Sequence, residues 1–443
     1  MWSKNYCFKR NDYSLTENTF FAIPMYYLGF IFYLIAINAY QFAIWIASLF
    51  NKRAKDFIEG RNNNTENIRI LLAADSSKKI WFHVSSLGEF EQGRPVMEAL
   101  KEKLPSHKII VTFFSPSGYE QMKNESIADY VFYLPFDSKK NAKELINYFN
   151  PEMVFWVKYD FWFFYLNELK NRNIKTFLLS ASFRKEQIYF KGYGVFFRNI
   201  LNCFTHIFTQ NKVSTDLLQS IQIENVTLSK DTRYDRVCNT SQETRYLSLI
   251  EKFKAQNQLL LCGSSYPIEE KMISNFLKQN TEIKIIIAPH FVNEERIIEI
   301  ENTFSGMCLR YSNADENTIS SKSVLIIDSI GLLSQIYRYA TIAFVGGGFV
   351  KSGLHNVLEA AAFGKPILFG PEIDKFPEAL DLIKAGAAFT IANEKECKSI
   401  LIELLQNKEK YLSASIAASE FIKENVGATN IVMEKIMEDY RIK

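Results

Sequence analysis

Several short stretches of this sequence place reactive side chains where the backbone must turn. The first is Val84-Ser85-Ser86-Leu87-Gly88-Glu89, in which an apolar run ends, Gly88 opens a turn and Glu89 falls where a helical pattern begins. A carboxylate there can take the proton of a substrate hydroxyl as a general base. It equally suits a helix N-terminus, where the macrodipole favours negative charge. The second is Lys158-Tyr159-Asp160-Phe161-Trp162, where charges stand directly after another apolar run. The third, Asp231-Thr232-Arg233-Tyr234-Asp235, offers Arg233 to an anion or simply to solvent. In the fourth, Ala288-Pro289-His290, the imidazole suits a phosphate, a base or a structural role.

The densest cluster runs from Phe344 to Ala362. Gly346, Gly347 and Gly348 end an apolar run, and Ser352-Gly353-Leu354-His355-Asn356-Val357-Leu358-Glu359 follows. Glycines let backbone approach a ligand closely, and the free amides of a helix starting near His355 would favour a phosphate. Glu359, one turn in, could accept hydrogen bonds from ribose hydroxyls. A glycine triplet alone is better explained by packing at a strand–loop–helix junction. With His, Asn and Glu just behind it, a nucleotide site is the better reading. The stretch is not a dinucleotide fingerprint, since residues 346–351 read GGGFVK. There is no GxSxG elbow, no GxxxxGK[ST] loop and no metal-ligand spacing of His, Cys and carboxylates, so no metal site is expected.

These stretches need a frame of strands and helices. Apolar runs at 80–85, 108–114, 130–135, 153–158, 176–181 and 206–210 read as strands covered on both faces, with helical patterns such as Glu91 to Lys103 and Lys139 to Tyr148 between them. A polar interval at 229–256 lacks a clear strand and reads as a linker with an entry helix. A second series follows at 258–262, 283–288, 323–327, 341–345 and 366–369, with a mostly helical end from Lys395. The expected organisation is a first doubly wound domain over 61–228 and a second over 257–443. Ligands in such folds lie at the carboxyl ends of the strands, here in the cleft between the halves.

Length and composition agree. At 443 residues, two domains are the natural prior, and 47% hydrophobic residues exclude a disordered chain. A net charge of +3 gives no sign of a nucleic-acid partner. Six scattered cysteines without a CxxC pair suit a reducing compartment. From Thr19 to Phe50 there is no charged residue, and Lys52, Arg53 and Lys55 follow. The run is long enough to cross a bilayer and too long and too late for a cleaved signal. Lys4, Lys9 and Arg10 precede it, so charge bias does not orient it. Residues 1–60 are therefore expected to be a membrane anchor, spanning or lying on the surface. The alternative is a helical hairpin buried in a soluble core.

Together these features resemble the 3-deoxy-D-manno-octulosonic acid (Kdo) transferases. The resemblance is most specific from Ile342 to Pro371, with SSLGE at 85–89, TFFSPSGYE at 112–120 and YLPFD at 133–137 in the same order. It implies a GT-B fold, two Rossmann-like domains facing a cleft, and inverting transfer of Kdo from CMP-Kdo to the lipid A precursor, lipid IVA, at the cytoplasmic face of the inner membrane. It makes Glu89 the base and Arg233 a stabiliser of the transition state, and puts Lys158 and Asp160 where the family often has an acidic pair. Pro289 and His290, Ile330, Gly331 and Leu332, and Asn356, Val357, Leu358 and Glu359 occupy its CMP-contacting positions. The implied partners are CMP-Kdo, the lipid A precursor and the membrane surface, without cofactor, metal or nucleic acid.

The sequence departs from that pattern at Lys158, at Pro289-His290-Phe291 (where the family has P-R-H) and at Leu332 (where it often has an acidic residue). Two alternatives follow: a GT-B transferase with another nucleotide sugar or membrane acceptor, and a catalytically dead, membrane-tethered binding protein.

Overall fold

A computed structural model describes residues 18–62, 64–243, 246–351 and 353–441. Residues 1–17, with Lys4, Lys9 and Arg10, and Ser352 of the glycine cluster lie outside the described residues.

The chain folds as two units, Met1–Thr232 with Ala428–Lys443, and Arg233–Gly427. The first is built on a seven-stranded parallel sheet of β1 (Lys79–Val84), β2 (Lys108–Phe113), β3 (Tyr130–Tyr133), β4 (Pro151–Val157), β5 (Lys175–Ala181), β6 (His206–Thr209) and β7 (Val226–Leu228), ordered β3-β2-β1-β4-β5-β6-β7. All six residues of β1 are buried, as expected of a strand with helices on both faces. Trp81, Trp156 and Phe149 pack on one face of the sheet, and Phe82, Phe90 and Phe155 on the other.

The second unit repeats the plan with β8 (Leu259–Ser265), β9 (Lys284–Pro289), β10 (Cys308–Arg310), β11 (Val324–Ile326), β12 (Ile342–Val345), β13 (Ile367–Phe369) and β14 (Ala388–Thr390), ordered β10-β11-β9-β8-β12-β13-β14. Its strand pairs are also parallel. Because all these strands run parallel, the connections after β8, β9, β11 and β12 leave from one edge of this sheet.

Three features differ from the sequence expectation. The interval 229–256 is mostly helical, Thr232–Gln242 and Ser248–Lys254, and the units divide after Thr232 rather than at 228. The last helix, Ala428–Arg441, joins the first unit instead of closing the second. Its Val432, Met433 and Ile436 are buried in the cluster that covers β1 and the helix Leu87–Lys103, which supplies the apolar face this helix needs. The strands β7, β10 and β14 were not expected at all; each has three residues.

The first helix, Asn18–Ser48, is neither a hairpin nor buried. Its stretch Ile23–Ser48 is long and apolar enough to cross a membrane, with a mean hydropathy of 1.7. One stripe nonetheless docks on the first unit. Tyr26, Phe30 and Tyr33 pack around Phe163 and Phe196, Ile37 is buried, and Tyr40 stacks on Phe114. Gly29 permits the approach, because a Cβ there would stand 2.7 Å from Phe196. The Tyr33 hydroxyl donates to Asp137 at 2.6 Å and accepts from the Phe163 amide at 3.1 Å. The opposite stripe, including Ile31, Phe32, Ile35, Phe42 and Trp45, is exposed.

Candidate functional site

At the carboxyl end of β1 the chain turns through Ser85 and Ser86 into the helix Leu87–Lys103. Glu89 occupies the third helical position, and its carboxylate accepts from the Ser86 amide at 3.2 Å and from the Ser85 amide. The residue thus closes the helix N-terminus, as the second reading expects, and remains half-buried at a strand end. Burial pushes its carboxyl up to about 7. The charge of Asp160 also raises it, while the two amides and Lys158 pull it down. A carboxylate with this value is near half-ionised at neutral pH, which suits proton transfer.

Asp160 follows β4. Its carboxylate accepts from the Ser85 hydroxyl and burial raises it, while its carbonyl accepts from Trp156 Nε1. Ser85 thus links the carboxylates: its amide holds Glu89 and its hydroxyl holds Asp160. Lys158 takes a left-handed backbone conformation, φ 64°, as the chain leaves β4, and its ammonium lies 5.6 Å from the Tyr159 ring. The structure thus brings Glu89, Asp160 and Lys158 together within the first unit. The sequence carried no sign of the serine between them.

On the next turn of the Glu89 helix the Gln92 carbonyl accepts from the Thr232 hydroxyl, and the Gln92 amide group donates to Asp231 at 3.3 Å. Gln210 also donates to Asp231, at 2.9 Å. These bonds fix the chain immediately before Arg233. Arg233 belongs to the second unit, where its guanidinium pairs with Glu378 at 3.0 Å. It is neither a solvated linker side chain nor unengaged.

The second unit gathers its residues at the carboxyl ends of β8, β9, β11 and β12. Gly347 has φ 94°, and a Cβ there would stand 2.3 Å from the Gly353 carbonyl. The Gly347 amide donates to Glu269 at 2.8 Å, and the same carboxyl accepts from the Tyr266 amide at 2.6 Å. Burial raises Glu269 to about 7.

The helix expected near His355 begins only at Leu358 and has five residues. The His355 amide is spent on the Gly346 carbonyl at 3.1 Å, and that of Leu358 on Asn356 Oδ1 at 3.2 Å. The expectation of free amides at these two positions is therefore corrected. Val357 and Leu358 carry buried core side chains, so neither side chain can contact a ligand. Asn356 is exposed and donates to Glu359 at 3.0 Å. Ile330 is exposed, and Gly331 turns with φ 94° beside the half-buried Leu332. His290, directly after Pro289, stacks on Tyr266, which the sequence did not single out, and lies beside His355 of the glycine cluster. Among the described residues no group of three His, Cys, Asp or Glu is placed to hold a metal.

The chain is similar to known proteins along most of its length. Residues 59–236 match the family model described as 3-deoxy-D-manno-octulosonic-acid transferase (kdotransferase). The chain is 25% identical over 337 residues to the 3-deoxy-D-manno-octulosonic acid transferase of Aquifex aeolicus, covering 75% of this chain and 87% of that one. It is 25% identical over 370 residues to the Haemophilus influenzae enzyme of the same name, covering 80% and 86%. Among solved structures, UDP-GlcNAc 2-epimerase from Neisseria meningitidis superposes with a TM-score of 0.57 at 16% identity, covering 81% of this chain and 100% of that one. MurG of Acinetobacter baumannii gives 0.51 at 11%, covering 82% and 99%. These two likenesses concern the fold alone.

Two doubly wound parallel sheets with those neighbours define the GT-B class. Within that class the chain is similar to the Kdo transferases, by the family model over residues 59–236 and by the two relatives over 75% and 80% of its length.

Proposed function

We propose that this protein moves Kdo from CMP-Kdo to the lipid A precursor, lipid IVA, in lipopolysaccharide biosynthesis, with inversion at the anomeric carbon. The observation that carries the reading is the Glu89 carboxyl, held at a strand end by two backbone amides and raised to about 7. A sugar hydroxyl is far too weak an acid to ionise by itself at neutral pH. Glu89 takes its proton while the hydroxyl oxygen bonds to the anomeric carbon of Kdo. The bond from that carbon to the phosphate oxygen breaks, and CMP leaves with the electron pair. Asp160, through Ser85, holds the loop that carries Glu89 and raises its affinity for the proton; Lys158 opposes that rise.

CMP is assigned to the strand ends of the second unit, at Pro289, His290, the Ile330-Gly331-Leu332 turn and Asn356 to Glu359. Val357 and Leu358 serve there through backbone only. Arg233 meets the charge growing on the departing phosphate, and must then exchange or share Glu378. The donor is a substrate, and no cofactor or metal is invoked.

The first helix is assigned to the inner membrane, with the catalytic units on the cytoplasmic side. Its stripe from Tyr26 to Tyr40 is committed to the first unit, and the ten residues from Gln41 to Phe50 fall short of the ~20 that a crossing takes. It therefore lies in the interface with its exposed apolar stripe among the lipids, and Lys52, Arg53 and Lys55 meet anionic headgroups.

The reading is tested by supplying the detergent-solubilised protein with lipid IVA and CMP-Kdo generated in the assay. A lipid product heavier by whole Kdo units is expected, with inhibition by CMP and not by UDP. Inhibition by UDP alone, without Kdo transfer, would move the assignment to another nucleotide sugar. Tight CMP binding with no turnover on any lipid acceptor would favour a binding protein.

A further inference from the structure

Three rings from three strand ends meet in the second unit. Tyr266 follows β8, His290 follows β9, and His355 follows the glycine loop after β12. The ring centroids of His290 and His355 are 4.4 Å apart at 33°, and Tyr266 stacks on His290 at 5.3 Å and on His355 at 5.8 Å. The Tyr266 hydroxyl lies 3.3 Å from His355 Nε2.

The charged groups packed around these rings are committed elsewhere. Glu269 is spent on the amides of Tyr266 and Gly347, and Glu270 on the Ser265 hydroxyl and Arg296. Among the described residues the His290 ring and His355 Nδ1 have no hydrogen-bond partner. Two imidazoles side by side, without a carboxylate on either, form a poor structural pair and a good receptor for an anion.

We propose that His290 and His355 are the seat of the nucleotide's phosphate, that Tyr266 positions His355, and that the seat takes up a proton as the phosphate arrives. This rests on the assignment of CMP to the second unit. Without an anion, burial lowers both imidazoles, and the neighbouring His290 helps bring His355 down to about 4, so both are neutral at pH 7. A dianionic monophosphate reverses the balance, because an opposite charge in contact favours the imidazolium. The Tyr266 hydroxyl serves both states: it donates to a neutral Nε2 and accepts from a protonated one. The arrangement supplies positive charge when the phosphate carries its second negative charge, as CMP does on leaving a sugar.

Calorimetric titration of CMP into the full-length protein at pH 7.5, in buffers of different ionisation enthalpy, counts the protons exchanged. Uptake of about half to one proton per CMP is expected, with none for cytidine. His355→Asn and His290→Asn should each weaken CMP by at least about tenfold and remove most of the uptake. Tyr266→Phe should keep CMP binding while shifting the pH at which uptake is half-complete, which loss of packing alone would not do. Thermal unfolding of each variant identifies any that fails to fold. CMP binding without proton uptake overturns the proposal, as does uptake unchanged in both asparagine variants. Absence of CMP binding by folded wild type fails the donor assignment itself, and this proposal with it.

Discussion

Replacing Asp160 by asparagine tests the electrostatics assigned to Glu89. Asparagine keeps the size of the side chain and an oxygen for the Ser85 hydroxyl, and it deletes one negative charge. Glu89 stands at about 7 against an ordinary 4.5, with burial as the largest cause and Asp160 next among those that raise it. Two charges linked through one serine lie on the order of 6 Å apart. At an effective dielectric of ~20 their repulsion is roughly 3 kcal/mol, equivalent to ~2 pKa units. That is an upper bound, because burial raises Asp160 as well and leaves it partly protonated as pH falls.

The expected displacement of Glu89 is therefore about one unit downward. Glu89 is a base only when ionised, so kcat/KM climbs with pH through its pKa. The acid limb should fall off below about pH 7 in wild type and below about pH 6 in Asp160→Asn. At pH 6 the base is ~10% ionised in the first and ~50% in the second, so the variant keeps roughly five times more of its own plateau rate. The assay is kcat/KM for Kdo transfer from pH 5.5 to 9, with the donor made in situ. An acid limb that stays in place or moves upward refutes the reasoning. So does a uniform loss of rate at every pH, which would make Asp160 itself the reacting group.

Three further outcomes follow from the same geometry. Lys158→Asn, which keeps a residue tolerant of the left-handed backbone, removes a charge that pulls Glu89 down; its acid limb should move to higher pH in the same assay. Gly347→Ala forces a Cβ against the Gly353 carbonyl at φ 94°, and should cost about 2 kcal/mol or more, read as a lower Tm and a weaker CMP Kd. Changing Lys52, Arg53 and Lys55 together to glutamine should weaken binding to anionic vesicles by ~1 kcal/mol per charge and reduce its salt dependence. Co-sedimentation checks this, and no effect would sink the headgroup contact.

The continuous apolar strands were readable in the sequence because double burial leaves them no polar face. Glu89, Asp160 and the glycine cluster were readable because charge and glycine at the end of such runs are conspicuous. The strands β7, β10 and β14 were not, since VTL, CLR and AFT are short and each includes a polar residue that breaks the apolar run. The return of Ala428–Arg441 to the first unit is a long-range choice among apolar faces that local periodicity does not encode. The stack of Tyr266 on His290 and His355 joins residues far apart in the chain, so only the sheet order brings it into being. The same holds for Ser85 between two carboxylates and for Arg233 against Glu378. In the first helix the apolar run was plain, but the docking stripe was hidden, because aromatic residues stand on its docked and exposed sides alike.

The central claim is that the Glu89 carboxyl takes the acceptor's proton. The most direct measurement is transfer of labelled Kdo to lipid IVA by wild type and by Glu89→Gln, side by side at pH 7.5 with folding verified. A glutamine keeps an oxygen for the Ser85 and Ser86 amides but cannot act as a base at this pH. Glu89 acting as the base predicts a fall in kcat of about 10²–10⁴-fold in the variant, with CMP affinity unchanged. A variant that transfers Kdo at the wild-type rate contradicts it.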